Sequence, residues 1–86
     1  MDPINLQIAF LDGSTKDVST VASDLIAFES RFDMSITKLN SDLRLTHLFF
    51  LAWHVEKRTG ATVLEFDAWC DTISSVDVPA PKGSKG

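Results

Sequence analysis

His47 and His54 are the two histidines of the chain and the first residues to test for chemistry. They lie in a helical stretch, seven positions apart, which puts them two turns from each other on similar faces. Metal-binding pairs on a helix are spaced more closely, by three or four. Two turns is too far for one ion, and Glu56 points to a different face from His54. The plain reading is two half-exposed histidines flanking a core helix. Cys70 is the single cysteine, so neither an internal disulfide nor a cysteine-based zinc site can form. It falls between Trp69 and Ile73 on an apolar stripe, where a thiol acts as a small hydrophobe. No Ser-His-Asp order, glycine-rich phosphate loop or CxxC occurs. A non-enzymatic protein with no cofactor and no metal is expected.

The remaining side chains of note are aromatic. Six Phe and two Trp are many for 86 residues. A chain this short buries only roughly 60–65% of the surface it exposes when unfolded. Some aromatic surface should stay outside, and such patches mark partner surfaces. Phe49, Phe50, Trp53 and Trp69 are the candidate partner-binding residues.

The elements that must position them follow from periodicity. Ile4, Leu6, Ile8 and Phe10 alternate with Asn5, Gln7 and Ala9, the pattern of a half-buried strand. Asp12-Gly13 then favours a tight turn, and Ser14 to Val18 returns as a second strand. Val21, Leu25, Phe28 and Phe32 form one helical stripe, predicting a first helix from Thr20 to Phe32. Ser19, Thr20 or Ser23 can cap it, and Asp24 suits its N-terminus. Asp33 to Asn40, with Met34 and Ile36, reads equally as a short strand or a loop. Ser41 to Thr59 is the strongest helix, capped by Asn40 or Ser41 and stopped at Gly60. Leu45, Leu48, Ala52 and Val55 line its inner stripe, which Phe49, Phe50 and Trp53 widen. Thr62 and Glu65 have capping-box spacing for a third helix over Leu64 to Ser75, with Phe66, Trp69, Cys70 and Ile73 inward.

The fold class expected is α+β, an N-terminal β-hairpin followed by three α-helices. One domain covers residues 1–76, and 77–86, rich in Pro, Gly and Lys, forms a flexible tail.

Charge narrows the partners. Eight Lys and Arg stand against 12 Asp and Glu, a net charge of −4. An acidic body repels nucleic acid and anionic membranes, so neither is expected as a partner. No apolar run approaches the ~20 residues that span a bilayer. Met1-Asp2-Pro3 has no apolar run behind it, so no signal peptide is expected. A protein or basic peptide is the better partner. The apolar second helix also points to self-association into a homo-oligomer.

The segment from Arg44 through Leu45, Thr46, His47, Leu48, Phe49, Phe50, Leu51, Ala52 and Trp53 to His54 adds a family resemblance. It continues through Glu56-Lys57-Arg58-Thr59-Gly60 into Glu65-Phe66-Asp67-Ala68-Trp69, with Asp24-Leu25-Ile26-Ala27-Phe28-Glu29 upstream. In order and spacing this resembles the tail assembly chaperones of long-tailed bacteriophages, particularly those of actinobacterial phages. The likeness covers roughly residues 5–76. It implies a non-enzymatic protein of the host cell cytoplasm that is absent from the mature virion. Such a protein binds the tape measure protein and keeps it soluble while tail-tube subunits polymerise round it. The resemblance also implies a longer form, made by programmed ribosomal frameshift, that recruits the major tail protein. The short form would end in a polar tail such as Pro79 to Gly86.

Other readings remain. A β-grasp-like adaptor begins with the same hairpin and helix, but needs further strands after the helix. A head–tail connector component shares the size and composition, and would be found in virions. A metal-dependent hydrolase using His47 and His54 would carry stoichiometric zinc.

Overall fold

Alternation of apolar and polar residues builds β1 over Asn5–Phe10, with Leu6 and Ile8 fully buried and Asn5 and Gln7 exposed. The computed structural model describes residues 4–33 and 44–79. Within them follow β2 (Thr15–Ser19), α1 (Ala22–Phe32), α2 (Leu45–Arg58), α3 (Phe66–Cys70) and β3 (Ile73–Asp77). The sheet order is β2-β1-β3, antiparallel throughout.

Register sorts the two faces of the sheet. Leu6 opposes Val18, and Ile8 opposes Lys16 on one side and Val76 on the other, all on the face under the helices. Asn5 opposes Ser19 and Gln7 opposes Asp17, making the outer face polar. One layer of helices therefore covers one face of the sheet. Helix α2 is central, packing against each of the other five elements. Leu48, Phe50, Leu51, Ala52 and Val55 supply its share of a core completed by Leu25, Phe28, Trp69, Ile73 and Val76.

The hairpin turn forms as its residues require. Asp12 Oδ1 accepts hydrogen bonds from the Ser14 backbone N–H (2.9 Å) and the Ser14 hydroxyl (2.7 Å). Gly13 sits at φ +95° with no atom within 4 Å of where a Cβ would stand. Gly13→Ala should therefore cost about 1–2 kcal/mol through backbone conformation rather than collision. Urea titration would show it as a lower midpoint with an unchanged slope.

The expected architecture, a hairpin followed by three helices and a tail, is overturned at its C-terminal end. Helix α3 stops at Cys70, and the chain returns as β3 beside β1. Ile73, spaced one turn beyond Trp69 and Cys70, is what made this stretch look helical, and the buried Val76 lies three residues further on. In a regular strand, residues three apart point to opposite faces. Here Ala9 pairs with Ser75 while Phe10 pairs with Ile73, so Ser74 is an extra residue in a β-bulge. The bulge turns Ile73 and Val76 onto the same buried face. Asp77, expected to begin the tail, pairs with Gln7. Residues 80–86 of that tail lie outside the described residues.

Helix starts also differ from expectation. Val21 is the N-cap of α1, and Thr20 is buried instead, its Oγ1 accepting the Ile4 N–H at 2.9 Å. Arg44 is the N-cap of α2, while the expected caps Asn40 and Ser41, like Met34 and Ile36, lie outside the described residues. Glu65 is itself the N-cap of α3, and Thr62 Oγ1 accepts the Leu64 N–H rather than closing a capping box. Gly60 stops α2 as expected, at φ +83°, with the Ala61 N–H bonded to the Glu56 carbonyl.

Candidate functional site: an apolar groove beside a buried ion cluster

The first turns of α2 and the short α3 leave an open groove between them, about 250 Å³ in volume. Leu45, Thr46, Phe49, Phe66 and Cys70 line it. The sequence explains the geometry. Leu45 and Phe49 are one turn apart on α2, as are Phe66 and Cys70 on α3, so each helix presents a pair of apolar side chains. Leu45 was expected on the inner stripe, yet it is 69% exposed. Apolar surface of this kind also continues into the loop before α3, where Val63 is 84% exposed and Leu64 is exposed as well.

The groove has a charged edge on one side. Asp67 and Asp71, both exposed, lie four residues apart and flank Cys70. Burial, together with the charges of Asp67 and Asp71, pushes the Cys70 thiol up from its ordinary range. A thiol held protonated at neutral pH is a poor nucleophile.

A second constellation ties α1 to the far end of α2. Asp24 is fully buried, and its carboxylate accepts from the Val21 N–H (2.8 Å) and from Arg58 Nε (3.0 Å) and Nη2 (2.9 Å). His54 Nδ1 lies against the remaining side of the same carboxylate. Burial alone raises the Asp24 carboxyl. The hydrogen bonds from Arg58, Val21 and His54 more than reverse this, holding it below the usual carboxylate range. An ionised carboxylate only accepts, so His54 Nδ1–H is the donor in this contact.

This Asp–His pair has the orientation seen in hydrolytic triads. Among the described residues, however, no hydroxyl or thiol hydrogen-bonds the other ring nitrogen, and no group of three or more His, Cys, Asp or Glu could hold a metal ion. What the arrangement does is hold two helices together. His54 and Arg58 stand one turn apart on α2, a spacing visible in the sequence, but their shared partner lies 30 and 34 residues upstream.

The four aromatic residues singled out from the sequence separate. Trp69 and Phe50 are core, 2% and 4% exposed. Phe49 is half-buried, edge-on to Trp69 with centroids 6.2 Å apart, and lines the groove. Trp53 is half-buried, packs on Phe66 and donates its Nε1–H to the Leu64 carbonyl at 2.9 Å, with Lys57 over its ring. Phe66, Leu45 and Cys70 complete the groove and were read from the sequence as inward-facing. His47, expected half-exposed, is buried edge-on against Phe28 and Phe32. Cys70, expected as core, is half-buried at the groove.

Comparison of the chain with protein-family models, with curated proteins and with solved structures finds no match. Among the described residues, no helix is long and apolar enough to cross a membrane.

Proposed function

We propose that the chain is a non-enzymatic tail assembly chaperone of a long-tailed bacteriophage, which binds the tape measure protein and keeps it soluble until the tail tube forms. The observation that carries a client-binding role is the open apolar groove of Leu45, Thr46, Phe49, Phe66 and Cys70. An unassembled tape measure protein exposes apolar helical faces, and a groove between helices is the form of surface that receives an apolar side chain from one. The choice of client rests on the resemblance in residues 24–29, 44–60 and 65–69. The same resemblance supports action in the host cytoplasm, absence from the mature virion, and a longer frameshifted form that recruits the major tail protein.

Coexpression with the tape measure protein of the same phage tests the reading. The client should be soluble and copurify with the wild-type chain. Leu45→Ser should weaken that complex roughly tenfold, about 1.4 kcal/mol, without changing the circular dichroism, because Leu45 is largely exposed. In infected cells, antibody to the chain should detect a short and a scarcer long form, both absent from purified virions. A single form that copurifies with virions would make it a structural component, such as a head–tail connector part, and end the chaperone reading.

A further inference from the structure

The groove carries an acidic edge on its α3 side, and that edge selects an occupant. Lys16, Lys57 and Arg58 are engaged with Glu56, Glu65 and Asp24, away from the groove lining. Arg31 lies over the rings of Phe50 and Phe66, 5.7 and 5.9 Å from their centroids. Asp67 and Asp71 are exposed carboxylates on the α3 side. Among the described residues, a segment lying in the groove meets exposed anions at its α3 edge.

Size sets a second condition. An apolar cavity of about 150 Å³ accepts a benzene ring. The 250 Å³ here takes one large side chain with its neighbouring atoms, rather than a whole helix face. A second copy of the chain does not complement this acidic edge, because both copies carry a net charge of −4.

We propose that this groove binds a basic amphipathic helix of a partner protein, one large apolar side chain entering between Leu45, Phe49, Phe66 and Cys70 while lysine or arginine one turn away pairs with Asp67 and Asp71. The proposal rests on the client-binding reading and specifies the chemistry of the client segment. It also fixes a direction, since the basic edge of that helix lies toward α3.

Cys70 is the sole cysteine and lines the groove, so it reports occupancy directly. The probe is a stapled helical peptide with a leucine stripe flanked by lysines, compared with the same peptide flanked by glutamates. Both are titrated against the full chain at mildly alkaline pH, where part of the thiol is ionised, while the rate of Cys70 alkylation by iodoacetamide is followed. The lysine peptide should slow alkylation several-fold at saturation, and the glutamate peptide should not. The double variant Asp67→Asn, Asp71→Asn, altered only at exposed positions, should bind the lysine peptide roughly tenfold more weakly, with unchanged circular dichroism. The wild-type affinity should fall with added salt.

Equal protection by the two peptides, or protection by neither, overturns the proposal. So does protection that grows with protein concentration alone, which would put a second copy in the groove. The two readings fail separately. If the double variant still holds the tape measure protein at full affinity with Cys70 open to alkylation, the groove assignment falls and the chaperone reading stands. If the lysine peptide binds as described but the tape measure protein does not copurify, the groove assignment stands with a different client.

Discussion

Trp69→Ala should remove about 3–5 kcal/mol of stability, the range for deleting a buried tryptophan. A small domain has only about 5–15 kcal/mol in total, so the variant should be largely unfolded or close to it. The size of the effect comes from position as well as volume. Trp69 is 2% exposed and belongs to a helix of only five residues, α3. An isolated helix that short is unstable, because nucleation costs more than one turn of hydrogen bonds returns. Packing of Trp69 into the core is what holds α3 in place. Its carbonyl also accepts from the Thr72 N–H (2.9 Å) and the Thr72 hydroxyl (2.7 Å), the bonds that turn the chain into β3. Losing the indole should loosen α3, the entry to β3 and the Phe49 ring together. Urea titration followed by far-ultraviolet circular dichroism measures this. Trp53→Ala is the control and should cost less than half as much, since Trp53 is only half-buried. A Trp69→Ala protein as stable as wild type that had lost only its client would make Trp69 an interface residue and refute its assignment to the core.

Asp24→Asn should cost about 3 kcal/mol, the lower end of the range for breaking a buried ion pair from one side. Asparagine fits the space, but it removes the charge that Arg58 and His54 converge on and places an amide N–H₂ where only acceptors are wanted. The pH dependence gives a second readout. The folded carboxyl of Asp24 is held below its unfolded value. Its contribution is therefore complete above the unfolded pKa of about 3.9. It is lost as pH falls further, through the depressed folded value. Wild type should lose stability on acidification below about pH 4 more steeply than Asp24→Asn. Urea midpoints collected between neutral and acidic pH test this, and parallel curves for the two proteins would show that Asp24 is not the linked group. A double-mutant cycle with Arg58→Ala isolates the pair, because the two residues share hydrogen bonds and their effects should not add.

Much of the local structure was legible because local patterns carry it. Alternation over Ile4 to Phe10 specified β1 and its inward residues, Leu6 and Ile8. Asp12-Gly13 specified the turn, and Gly60 the end of α2. The Phe28 and Leu25 stripe placed α1 within two residues of its observed start. Each of these signals lies within a few positions of what it determines.

The candidate site was less legible. The apolar residues of α2 cover so much of its circumference that periodicity could not say which stay outside. Phe49, Phe50 and Trp53 looked alike in the sequence, and packing gave them three different places. Phe50 went to the core, Phe49 to the groove, and Trp53 to a half-buried seat against Phe66. Leu45 looked inward by spacing and is outward, because it stands on the groove side of α2 with Phe49 while His47 and Leu48 of the same turn face the core.

The periods of β1, α1 and α2, the turn, the acidic balance and the lack of any recognisable catalytic motif can be read from the residues alone. Three things came only from packing. It made Ile73–Asp77 a strand, because a bulge exists only opposite a partner, and β1 is more than 60 residues away in the chain. It brought Asp24 to His54 and Arg58, residues with no local relation to it. It also left Leu45, Phe49, Phe66 and Cys70 as an open groove. The physical reason is common to all three. A side chain's own neighbours in sequence determine its direction, but only the element packed across from it determines whether that direction leads into the core or out of it.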